Sequence, residues 1–81
     1  MVVRVLAFAR VRELMGFSDE LVDLPEAASA RVLWDRLVVD KPQLNELFGS
    51  TRIALNGTIV AFDSALKDGD EVALLPPVGG G

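Results

Sequence analysis

The chain opens with a short apolar run rich in β-branched residues, 2–9, which predicts a strand. The period then changes. Val11, Leu14 and Met15 fall at i, i+3 and i+4 within residues 10–15, predicting a short helix, and Gly16 stands where a helix needs a left-handed residue to stop. Weak alternation around Val22 and Leu24, closed by Pro25, predicts a second strand over 19–24. Ser29 suits the cap of the main helix, with Val32, Leu33, Trp34 and Leu37 as its apolar stripe and Lys41-Pro42 as its end. Residues 43–48 read as a further turn or two, with Leu44, Leu47 and Phe48 facing inward. The sharpest local signal is Asn56-Gly57 between the runs 51–55 and 58–62, because a type I′ hairpin needs positive φ at both central residues. A turn at 67–70 leads into a last strand, Glu71–Leu75, which Pro76-Pro77 ends.

Strand, short helix, strand, long helix and three strands in 81 residues predict one domain of α+β class. The economical arrangement is a β-grasp, with one main helix on one face of a mixed five-stranded sheet and short extra helices. The domain is expected over 1–75, with 76–81 as a flexible tail. A two-residue turn pairs Leu55 with Thr58, Ala54 with Ile59, Ile53 with Val60 and Arg52 with Ala61. Ile53, Leu55, Val60 and Phe62 then face the helix, and Ala54, Ile59 and Ala61 face away. Val3, Val5 and Ala7 oppose Arg4, Leu6 and Phe8 in the first strand, as Val72 and Leu74 oppose Ala73 and Leu75 in the last. Phe8, Ile59 and Leu75 would thus share an uncovered face, which predicts a protein partner.

Composition narrows the chemistry. The chain is 51% hydrophobic and 25% charged, as globular domains are. No apolar run approaches the roughly 20 residues that span a bilayer, and the first residues carry no leader pattern. A cytoplasmic protein without membrane partners is expected. The net charge of −4 opposes nucleic-acid binding, which is driven by basic patches that release counterions. With neither cysteine nor histidine, the chain offers no thiolate nucleophile, few zinc ligands and no imidazole for acid–base work. Asp68, Asp70 and Glu71 read as turn residues, since their spacing matches no calcium loop.

What chemistry remains lies in the closing residues, Pro76-Pro77-Val78-Gly79-Gly80-Gly81. Two prolines hold the start extended and three glycines keep the end thin, so six residues can reach about 20 Å into a narrow channel. A free α-carboxylate is ionised at neutral pH and is a poor electrophile. It needs activation, for which acyl-adenylate formation with ATP supplies a leaving group. Without cysteine, the place for this chain to carry sulfur is its own C-terminus, as a thiocarboxylate. An idle, frayed tail is the bland alternative.

At these residues the sequence resembles the small subunit of molybdopterin synthase, of the ubiquitin-like sulfur carrier family, nearly end to end. Residues 8–16, with Val11-Arg12-Glu13-Leu14, and residues 66–81, with Asp68-Gly69-Asp70-Glu71-Val72 and the Pro-Pro-Val tail, are the densest stretches; Asn56 and Phe62-Asp63 also fit. The resemblance implies adenylation of Gly81 by an ATP-dependent activating enzyme, then thiocarboxylation with sulfur from a donor protein. Insertion of 76–81 into the large synthase subunit would follow, with sulfur passing to cyclic pyranopterin monophosphate. It implies partner contacts at Phe8, Ile59 and Leu75 with Arg12 nearby, a heterotetramer, catalytic side chains on the partner, and no stably bound cofactor. Gly79 replaces the family's usual small hydroxyl residue and Leu74-Leu75 its aromatic pair. Carriers for tRNA thiolation or thiamine, and modifiers conjugated through Gly81, share the same tail chemistry. The Pro-Pro-Val tail and the Val-Arg-Glu-Leu helix argue against the thiamine carrier. A plain binding module with an idle tail is the remaining alternative.

Overall fold

A computed structural model describes residues 1–77. Its elements are β1 (Val2–Ala7), α1 (Ala9–Met15), β2 (Asp19–Asp23), α2 (Ala30–Asp40), a 3₁₀ segment (Pro42–Ser50), β3 (Arg52–Leu55), β4 (Thr58–Val60) and β5 (Glu71–Leu75). The strands form one mixed sheet in the order β2-β1-β5-β3-β4, with β1 and β5 parallel and the other pairs antiparallel. This is the expected β-grasp arrangement.

Alternation in the strands decides what is buried. Val3, Val5, Ala7, Ile53, Val72 and Leu74 point into one core together with Val11 of α1 and Leu44 of the 3₁₀ segment. From α2 the core receives Ala30, Leu33, Trp34 and Leu37, spaced at i, i+3, i+4 and i+7. Val32 departs from expectation: it is exposed, because one residue back from Leu33 is a 100° turn away from that stripe. The Ser29 cap forms, its Oγ accepting from the Val32 N–H at 3.3 Å. Trp34 is wholly buried, donates from Nε1 to Asn45 Oδ1 and packs edge-on to Phe62, with Phe48 completing an aromatic cluster.

Four strands are shorter than the sequence predicts, β2 by one residue because it ends at Asp23. β1 stops at Ala7 because Ala9 takes a left-handed φ of 48° and the Phe8 carbonyl already accepts the first helical bond, from the Arg12 N–H. Thr51 serves the 3₁₀ segment instead of β3, donating from Oγ1 to the Leu47 carbonyl at 2.7 Å. β4 ends at Val60, so Arg52 and Ala61 do not pair, while Ile53, Ala54 and Leu55 pair as predicted.

The hairpin turn is locked from outside. Asn56 and Gly57 hold φ of 49° and 89°. The Asn56 side chain donates to Asp70 Oδ1 at 3.0 Å and accepts from the Glu71 N–H at 2.8 Å, while Asp70 Oδ2 accepts from the Lys67 N–H. Asp68 accepts from the Val2 N–H at 2.7 Å. Asp68 and Asp70 thus serve the turns. Asn56→Ala loses these bonds and puts a Cβ without local hydrogen bonding in the left-handed region, so it should cost about 2 kcal/mol. In a domain this small the thermal midpoint should fall by about 10 °C, and Asn56→Gly, which tolerates the φ, should lose less.

Candidate functional site, an apolar sheet face at the root of the tail

One sheet face carries α2, and the alternate residues of each strand lie on the other. Cross-strand register lines them up in rows. Leu6 sits opposite Ala73, Ala73 opposite Ala54, and Ala54 opposite Ile59. At the usual strand spacing this row is about 14 Å long. The next row brings Phe8, one residue past the Ala7–Leu74 pair, level with Leu75, which pairs with Arg52. The 3₁₀ segment packs on α2 and α1 and sends Leu44 into the core, away from these rows.

Phe8, Ile59 and Leu75 therefore lie on the same uncovered sheet face. Phe8 is 46% exposed and Ile59 51%, large values for aromatic and β-branched side chains, and Leu75 is half-buried at the end of β5. Ala54 is buried yet is not part of the core cluster, as expected of a small residue hemmed in by neighbours on the outer face. Leu6, Ala54 and Ala73 complete the patch. Strand alternation already grouped Leu6 with Phe8, Ala54 with Ile59 and Ala73 with Leu75, but the two alanines are too small to stand out.

Local structure explains how Phe8 is presented. It is the cap residue of α1, with extended φ and ψ of −127° and 154°, and its side chain makes no capping hydrogen bond. The left-handed step at Ala9 turns the chain into the helix without turning Phe8 inward. Arg12, one turn along α1, is exposed and lines a depression with Ala9, Glu13, Gly16, Phe17 and Ser18.

Charge differs between the two ends of the patch. At the far end Arg4 is held by Asp19, with Nε at 2.9 Å from Oδ1, and this hydrogen bond with the guanidinium keeps the Asp19 carboxyl below its usual pKa. At the Phe8–Leu75 end stand Arg12 and Arg52, neither in an ion pair among the described residues.

The tail begins at this same end. Pro76 is half-buried and Pro77 exposed, immediately after Leu75. Val78, Gly79, Gly80 and Gly81, predicted to thread a partner's active site and to carry the acyl chemistry, lie outside the described residues. No group of three or more His, Cys, Asp or Glu that could hold a metal ion occurs among the described residues, and no helix there is long and apolar enough to cross a membrane.

Known proteins share this architecture. Residues 5–81 match the ThiS family. The molybdopterin synthase sulfur carrier subunit of Escherichia coli (strain K12) is 41% identical over 81 residues, covering 98% of this chain and 99% of that one. Its counterpart from Chlamydomonas reinhardtii is 36% identical over 83 residues, covering 100% of both. Among solved structures, small archaeal modifier protein 1 of Haloferax volcanii superposes with a TM-score of 0.84 at 29% identity, covering 95% of this chain and 98% of that one. The complex of subunits 1 and 2 of the molybdopterin-converting factor of Helicobacter pylori 26695 contains a chain matching with a TM-score of 0.68 at 32% identity, covering 100% of each. With full-length identity to the sulfur carrier subunits and the fold in common, the chain belongs to the ThiS family.

Proposed function

We propose that this protein is the sulfur carrier subunit of a molybdopterin synthase and works in the cytoplasm through Gly81. The observation that carries the reading is the coincidence of an uncovered apolar patch with the root of the Pro-Pro tail: both lie at Leu75. A partner seated on Phe8, Ile59 and Leu75, with Arg12 at the rim, receives the tail directly into its own site. Identity to sulfur carrier subunits over the full chain supports the choice of pathway.

The chemistry follows from the carboxylate. An activating enzyme joins the Gly81 carboxylate to the AMP moiety of ATP and releases pyrophosphate, which gives the acyl carbon a leaving group. The terminal sulfur of a donor protein's persulfide then attacks the acyl carbon as AMP departs. A second thiol of the donor reduces the resulting acyl disulfide, releasing the thiocarboxylate and leaving a disulfide on the donor. In the large subunit that sulfur displaces an oxygen substituent from a carbon of cyclic pyranopterin monophosphate. Water then cleaves the acyl–sulfur bond, leaving the sulfur on the pterin and returning the carboxylate. ATP is the activating enzyme's substrate; the carrier holds no cofactor of its own. One carrier at each end of a large-subunit dimer makes a heterotetramer.

The test is sulfur transfer from thiocarboxylated protein to the pterin precursor with purified large subunit. Molybdopterin should form in proportion to thiocarboxylate consumed, and its absence would remove the assignment. The likeness to a small archaeal modifier supports a second reading, conjugation through Gly81 to lysines of other proteins. Higher-mass adducts in cell lysate would favour it.

A further inference from the structure

We propose that Arg52 is a docking residue, binding a carboxylate side chain on the large synthase subunit and steering the tail into its channel. The inference deepens the sulfur carrier reading and rests on it. Arg52 lies on the patch face by strand alternation, since Ile53 beside it is buried in the core, and it is paired in register with Leu75. It also lines a groove together with residues 49–51 and with Leu75, Pro76 and Pro77. Any surface that covers Leu75 and takes Pro76 must meet this guanidinium.

Two features point to an acidic group as its counterpart. The chain carries −4 overall, yet three of its arginines are matched within it: Arg4 to Asp19, Arg10 to Glu13 and Arg31 to Asp35. Arg52, at the tail root, makes no such pair among the described residues, nor does Arg12 on the other flank of Phe8 and Leu75. Arg12 and Arg52, unpaired among the described residues as is Arg36 on α2, thus flank the apolar centre where Leu75 leads into Pro76. An aspartate or glutamate on the covering surface is the complement, and Arg can engage it through two parallel N–H bonds. The mount is also firm: Thr51, 5% exposed, anchors the chain just before Arg52 through its bond to the Leu47 carbonyl.

The experiment measures binding of the full chain to purified large subunit as salt is raised from about 0.05 M to about 0.5 M, where screening removes exposed charge pairs. Arg52→Glu should bind about tenfold more weakly at low salt, mostly through slower association, with the deficit shrinking as salt rises. Arg52→Gln should lose less, and Lys41→Glu, which makes the same charge change beyond α2, should stay near the parent. Unfolding midpoints should match the parent's, since Arg52 is exposed. If Arg52→Glu and Arg52→Gln bind like Lys41→Glu, or their loss does not respond to salt, the inference fails. If the unaltered chain itself does not bind, the sulfur carrier reading fails with it.

Discussion

Deleting Gly80 and Gly81 is expected to leave the domain's thermal midpoint unchanged and to abolish sulfur transfer. The core cluster draws on Val3 to Leu74, so nothing it buries is lost. Activity should respond differently, because two extended residues span about 7 Å and the shortened chain would hold its carboxylate that far from the reacting atoms. A misplacement of about 1 Å can cost a hundredfold in rate, so a gap of this size should leave no turnover that an assay can detect. Appending one residue after Gly81 should have the same consequence, since the acyl group then belongs to the wrong residue. Midpoint by calorimetry and molybdopterin yield in the reconstituted reaction separate the two effects. Unimpaired sulfur delivery by either variant would show that the tail is idle.

Phe8→Asp is expected to give the second-largest effect, again with stability and binding moving apart. Phe8 occupies the cap position of α1 without a capping side chain, and aspartate is among the best residues for that position. The variant should therefore fold as stably as the parent or more so. On the patch, however, it puts a carboxylate where a partner must exclude water, at a cost of about 3 kcal/mol, or more than a hundredfold in affinity for the large subunit. Phe8→Ala should fall between the two in binding. Equal affinity for Phe8→Asp and the parent, with both folded, would remove the sheet face from the interface.

Much of this arrangement was legible in the sequence because the informative signals are local. Asn56-Gly57 fixes the hairpin, the hairpin fixes the register of Ile53 with Val60, and register assigns Ala54 and Ile59 to the outer face. Gly16 likewise ends α1 in the left-handed conformation that its position predicts. The errors come from residues whose type does not betray their backbone or neighbours. Ala9 adopts a left-handed φ that alanine does not advertise, so the apolar run 2–9 exceeds β1 by two residues. Ala30 is a core residue whose small side chain gives little signal, so the apolar pattern of α2 favours Val32, which the fold leaves exposed. The pairing of Arg52 with Leu75 is likewise invisible in the sequence, because it depends on the long-range β3–β5 register rather than on a local turn.

If Gly81 carries sulfur, an intact-mass spectrum of the protein from cells lacking the large subunit reveals it. Charged carrier should accumulate there, and the spectrum should show a species in which one sulfur replaces one oxygen, absent when the activating enzyme is deleted. Recovery of the free acid alone, or of the chain joined to other proteins with no sulfur-bearing form, would mean that Gly81 does not carry sulfur.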